Sequence, residues 1–163
     1  DKSAGMTDGK LIARCDELVR KYGVKIFVLD YLQQVGSSER GASREQQVAA
    51  VSRACKEIAM EHNVCFIALA QLNREVEKQL GDKMPELHHL RESGSIEQDA
   101  DVVLFPWRRI DRDADGHEVR GNHVTEAKVK IAKQRNGPLG IAPMVFCPWS
   151  MIFRDMSGSP EPY

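Results

Sequence analysis

The chain has 163 residues, enough for one domain with a real core, and its 42% hydrophobic and 29% charged composition is ordinary for a globular protein. A formal net charge of -1, from 23 basic and 24 acidic side chains, removes bulk charge as an argument for nucleic-acid binding, so any such surface must be local. No run of about 18 apolar residues exists to form a membrane span, and Asp1-Lys2-Ser3-Ala4-Gly5 lacks the apolar stretch of a signal peptide.

In chain order, Thr7 caps a predicted helix to about Tyr22, with Leu11, Cys15, Leu18, Val19 and Tyr22 on one face and Gly23 as its stop. The apolar run Lys25-Ile26-Phe27-Val28-Leu29 ends on Asp30 and reads as a buried parallel strand. Gly36 to Gly41 reads as a flexible loop. An amphipathic helix follows from Arg44 to His62, burying Val48, Val51, Cys55, Ile58 and Ala59, with Asn63 ending it. Cys65 to Ala70 is a second apolar strand, ending on Gln71. Residues 73–90 are polar and irregular, and Asp101 to Phe105 is a third core strand. Beyond a polar insert at 108–123, Val124 to Ala132 alternates small or apolar residues with charged ones, as a strand with one wet face does. Ile141–Cys147 and Met151–Phe153 complete a meander, and Ser157-Gly158-Ser159-Pro160 belongs to a frayed tail over 156–163. Helices alternating with strands argue for an α/β sheet with antiparallel strands at its C-terminal end, and such sheets bind ligands at the carboxyl ends of their strands.

The cysteines, Cys15, Cys55, Cys65 and Cys147, show no CxxC pair, and three lie within apolar patterns; a reduced, cytosolic chain is the expectation. No histidine pairs with a cysteine at zinc spacing. Asp111, Asp113, Asp115 and Gly116 imitate the opening of a calcium loop, but the twelfth position is Asn122 and no helices flank it, so a polar hairpin excursion is the better reading.

Asp30, directly after apolar strand residues, either caps the strand end or holds a magnesium ion of a nucleotide, often through water. The following Tyr31-Leu32-Gln33 narrows the pattern towards magnesium. Gln71, one helix and one strand later, either caps its strand or hydrogen-bonds a terminal phosphate or attacking water. Arg91 with Ser93-Gly94-Ser95 offers a guanidinium and main-chain N–H groups to a phosphodiester, or else Ser95 simply caps a helix. Lys133-Gln134-Arg135-Asn136-Gly137-Pro138 places paired cations at a strand end, either as a solvated basic turn or as fingers reaching a neighbour's γ-phosphate.

Over nearly its whole length the chain resembles the DnaB family of hexameric helicases, through Phe27–Gln33, Ala68–Arg74, Leu90–Asp101 and Ala132–Pro138. The resemblance implies a RecA-like P-loop NTPase sheet over residues 1–155. It also implies ATP and Mg2+ as cofactors, with Asp30 as the Walker B aspartate and Gln71 as the phosphate sensor. Arg91, Glu92 and Gly94 would then lie in the loop gripping single-stranded DNA, and Lys133 and Arg135 would be fingers acting in trans. The implied protein is a cytoplasmic, nucleoid-associated homohexamer that unwinds replicating DNA with a primase and a helicase loader. The sequence contains no G-x-x-x-x-G-K-[ST] segment to cradle phosphates. The chain therefore reads as a truncated motor domain lacking the P-loop strand and helix, inactive alone, with an unpaired sheet edge and exposed apolar surface. A non-catalytic nucleic-acid-binding or ring-interaction module is the alternative; another RecA-like ATPase, such as a recombinase or clock-type hexamer, is a third.

Overall fold

Thr7 starts the first helix: its Oγ1 accepts from the Lys10 backbone N–H at 3.4 Å in the computed structural model, which describes residues 5–39, 41–72, 83–110 and 123–156. Helix α1 spans Asp8–Tyr22, and Gly23, at φ 63°, takes the left-handed conformation that closes it by donating to the Val19 carbonyl. Leu11 and Cys15 are buried, whereas Tyr22, expected on the buried face, is 64% exposed at the last turn. The segment after Gly36, expected as a flexible loop, is pinned at its start. Gly36 donates to the Met6 carbonyl at 2.9 Å, and Ser38 donates to Asp8 Oδ1 through its N–H at 2.7 Å and its hydroxyl at 2.5 Å.

Helix α2, Arg44–Glu61, opens with a reciprocal capping box between Ser43 and Gln46. Val48, Val51, Cys55 and Ile58 are buried as the spacing predicts, and Asn63 just past the helix has φ 49°. The helix is the crossover joining strand β1, Ile26–Leu29, to strand β2, Cys65–Ala68, which pair in parallel with Leu29 opposite Ala68. Phe27, Leu29 and Phe66 pack on the core built by α1 and α2, with the two phenylalanine rings stacked at 5.8 Å. The other face carries Ile26, Val28, Ile67 and Leu69, which are all exposed. The parallel pairing was thus legible, but the burial is one-sided, because the described helices cover only every second side chain.

Residues Leu87–Ser93 form a 3-10 helix that passes into helix α3, Gly94–Asp99, anchored by the buried Leu90 and Ile96. Ser95 does not cap the helix start: it sits inside α3, and its Oγ is buried without a hydrogen-bond partner. The Ser93-Gly94-Ser95 backbone is helical, so its freedom is less than the small residues implied.

The chain divides into two units, residues 1–76 with 88–100, and residues 77–87 with 101–163. The second unit is an antiparallel meander of β3 (Val102–Arg108), β4 (Thr125–Gln134), β5 (Gly140–Cys147) and β6 (Ile152–Asp155), paired in that order. Strand β3 was expected as a core strand; Val103 and Phe105 are buried, and its described partner is the antiparallel β4. Strand β4 extends two residues beyond the predicted end, because its ladder with β3 continues to Gln134 opposite Val102. The expected alternation holds only at the start of the strand, where Thr125 and Ala127 are buried on either side of the exposed Glu126. Residues 128–131 are half-buried and the next buried residue, Ala132, is out of phase, while Lys128 lies over the Trp107 ring at 5.5 Å and Lys130 donates to the Pro85 carbonyl at 3.4 Å. The calcium-loop imitation at 111–122 and the frayed tail expected beyond 156 lie outside the described residues.

Candidate functional site

Asp30 and Gln71 stand at the carboxyl ends of adjacent parallel strands, the position where open α/β sheets bind ligands. Two backbone bonds continue the ladder past the last paired residues. Leu69 donates to the Leu29 carbonyl at 2.9 Å, and Leu32 donates to the Leu69 carbonyl at 2.8 Å. Both Asp30 and Gln71 are exposed, so a carboxylate and a carboxamide face solvent from one sheet end. An exposed carboxylate of this kind suits a magnesium ion held through water, and the amide suits a phosphate oxygen or water. Asn73 and Arg74, which complete the second motif, lie outside the described residues.

Against the backbone of Gln71 the structure places a third residue, one that the sequence marks only as part of a motif. Gln33 lies in a 3-10 turn, Leu32–Gln34, directly after Asp30-Tyr31. Its Nε2 donates to the Gln71 carbonyl at 3.0 Å, and the Gln71 N–H donates to its Oε1 at 3.2 Å. The Gln33 carbonyl in turn accepts from the Arg44 guanidinium at the start of α2. The only sequence signal for this was the presence of Gln33 in Asp-Tyr-Leu-Gln.

Gly94 opens α3 and is exposed, with nothing within 4 Å of where a Cβ would stand. The side chains of Arg91 and Glu92 fall outside the described part of the structure. In the meander unit, Lys133 is the penultimate residue of β4, opposite Val103, and Arg135 is the first residue of the turn. A bulge between Val103 and Leu104 leaves Ala132 as the extra residue of β4, next to Lys133. Arg135 is held by Asp101: Nη1 reaches Oδ1 at 3.1 Å and the backbone N–H donates to the Asp101 carbonyl at 3.0 Å.

Other reactive groups read as structural. Burial pushes the Cys15 thiol up to about 11 and the Cys55 thiol to about 12, so both stay protonated and inert at neutral pH. The four cysteines are free, and Cys65 is exposed on the uncovered face of β2. Among the described residues, Asp16, Glu61 and His62 gather within 4.8 Å, where His62 Nε2 and Asp16 Oδ1 at 2.5 Å tie α1 to the end of α2.

A parallel sheet end presenting Asp30 and Gln71, with a crossover helix behind it, is the layout of an open α/β sheet that binds ligands at its strand ends, and solved relatives narrow it to a RecA-fold ATPase domain. The chain belongs to the DnaB-like helicase C terminal domain family, whose model matches residues 1–155. It is 43% identical over 157 residues to the replicative DNA helicase DnaB of Leifsonia xyli subsp. xyli, covering 96% of this chain and 33% of that protein. A solved structure described as an ATPase domain superposes with a TM-score of 0.76 at 35% identity, covering 94% of this chain and 53% of that one. A structure described as a DnaB-like replicative helicase and its interactions with primase superposes at 0.72 with 37% identity, covering 90% and 34%. The chain thus spans about a third of the length of the curated relatives it matches. No described helix is long and apolar enough to cross a membrane.

Proposed function

We propose that the chain is the C-terminal portion of the motor domain of a replicative DNA helicase, which couples ATP hydrolysis to unwinding at the fork. The observation that carries this reading is the placement of Asp30 and Gln71 at neighbouring strand ends, tied by the continued ladder, within a chain of the DnaB-like family. ATP with Mg2+ supplies the reacting phosphate and the charge that neutralises it. Asp30 would hold the magnesium ion, and Gln71 would bind the terminal phosphate or orient water. Lys133 and Arg135 would reach the nucleotide of an adjacent subunit in a homohexamer. The segment of Arg91, Glu92 and Gly94 would grip single-stranded DNA. The phosphate cradle is not encoded in these 163 residues, so the isolated chain would neither hydrolyse ATP nor unwind DNA. The primase interaction described for a structural neighbour supports a primase as partner; a helicase loader and a cytoplasmic, nucleoid-associated setting belong to the same reading.

The test is a comparison of the isolated chain with a full-length helicase carrying this segment. Full-length protein is expected to hydrolyse ATP and unwind a forked duplex, to lose both with Asp30→Ala, and the isolated chain to do neither. Steady hydrolysis by the isolated chain, abolished by Asp30→Ala, would overturn the division of labour; unwinding that survives Asp30→Ala would overturn the magnesium role.

A further inference from the structure

A sensor residue at a strand end needs its backbone fixed, because a small displacement there moves the side-chain amide off its target. Gln71 lies beyond the last residue of β2, where the regular ladder no longer supplies partners. Gln33 takes over. Its carboxamide presents a donor and an acceptor side by side, and both are used on the same residue: Nε2 to the Gln71 carbonyl at 3.0 Å, and Oε1 from the Gln71 N–H at 3.2 Å. The two bonds imitate one more rung of the sheet, made by a side chain.

Gln33 is itself well held. Leu32 is buried, the turn closes through Gln34 N–H to the Tyr31 carbonyl at 3.0 Å, and Val35 N–H donates to the Leu32 carbonyl at 3.1 Å. The Gln33 carbonyl accepts from Arg44, whose other guanidinium nitrogen donates to Gln47 Oε1 at 3.3 Å. The strand end is thereby tied to the first turn of α2.

We propose that Gln33 is a positioning residue that holds the Gln71 backbone, so that the Gln71 side chain is delivered to the terminal phosphate from the same segment that carries Asp30. This rests on the reading of Gln71 as the phosphate sensor. A glutamate at position 33 keeps the length and one acceptor but has no donor for the Gln71 carbonyl, and it sets two oxygens against each other. A methionine keeps the approximate volume and makes neither bond.

The experiment uses the full-length helicase with Gln33→Met, Gln33→Glu, Gln71→Ala and the Gln33→Met/Gln71→Ala pair. ATPase kcat and KM are measured with single-stranded DNA, and melting temperature is followed beside them. Both Gln33 variants are expected to lower kcat about tenfold with KM within about twofold, since misplacement acts on the reacting geometry. In the Gln71→Ala background, which keeps the backbone groups that Gln33 binds, Gln33→Met is expected to cause no further loss. A wild-type kcat for both Gln33 variants overturns the proposal. So does an equal proportional loss with and without the Gln71 side chain, which is what a merely structural contact gives. Should Gln33→Met lower the melting temperature, Gln33→Glu supplies the same readout. A wild-type kcat for Gln71→Ala removes the sensor reading itself and the proposal with it, and so is told apart from a failure at Gln33 alone.

Discussion

The Arg135 guanidinium meets the Asp101 carboxylate at 3.1 Å, while the Arg135 backbone N–H donates to the Asp101 carbonyl at 3.0 Å. One residue before β3 thus binds both the side chain and the main chain of the residue just after β4. The main-chain bond fixes where the turn begins, and the side-chain pair aims the guanidinium. Both side chains are about half exposed, and exposed pairs contribute only about 0–1 kcal/mol.

If Arg135 acts in trans, its loss should poison mixed rings. In a full-length helicase, Arg135→Ala is expected to lower ATP turnover at least about a thousandfold, in the range of arginine fingers, while nucleotide binding changes little. Titrating Arg135→Ala subunits into wild-type protein should depress activity more steeply than dilution. A strictly proportional decline would remove the trans assignment. Asp101→Asn, which keeps the backbone bond, is expected to leave the fold intact.

Arg91→Ala in the complete helicase is expected to weaken single-stranded DNA binding more than ATP binding. If Arg91 contacts a phosphate, the salt dependence of binding should fall by about one unit of slope. Fluorescence titrations over a range of salt concentrations measure both, and equal losses for DNA and nucleotide would count against the DNA role.

The buried thiols make an alkaline prediction. Cys15 and Cys55 ionise at about 11 and about 12 in the folded protein against 9.0 for the ordinary thiol, because burial disfavours the thiolate. The folded state therefore keeps protons that the unfolded state releases. Their contribution is intact below pH 9.0 and is lost as pH rises towards 11 and 12. Urea unfolding under reducing conditions should show this fall, and Cys15→Ala with Cys55→Ala should flatten it. At neutral pH neither thiol should react with iodoacetamide before unfolding; rapid native labelling of both would contradict their burial.

Helix α2 carries the core of the first unit. Ile58 is 1% exposed, and Ile58→Ala is expected to destabilise by about 2–5 kcal/mol, measured by denaturant unfolding. Thr7→Ala, which removes the α1 cap, is expected to cost about 1 kcal/mol. A smaller effect at Ile58 than at Thr7 would mean the core lies elsewhere.

Local features were legible in the amino-acid order because their causes are local. Thr7 and Gly23 bound α1, the spacing of Val48, Val51, Cys55 and Ile58 marks the buried side of α2, and short apolar runs end at Asp30 and near Gln71. The family resemblance rested on such segments too, and the match over residues 1–155 agrees with it. Burial of whole strand faces was not legible: Ile26, Val28, Val102 and Leu104 look like core residues, yet alternate side chains of a strand are covered only if something packs on both faces. Nor could Tyr22 be placed, since a helix stripe does not say where its covering neighbour stops.

The sequence by itself determined the elements, their order and the identities of the strand-end residues, because capping, periodicity and strand length act within a few residues. Only the tertiary structure decided that Gln33 binds Gln71 across 38 positions and that Asp101 binds Arg135 across 34. Those contacts depend on strand register and on where turns close, and hydrogen bonds between residues far apart in the chain leave no periodicity to read.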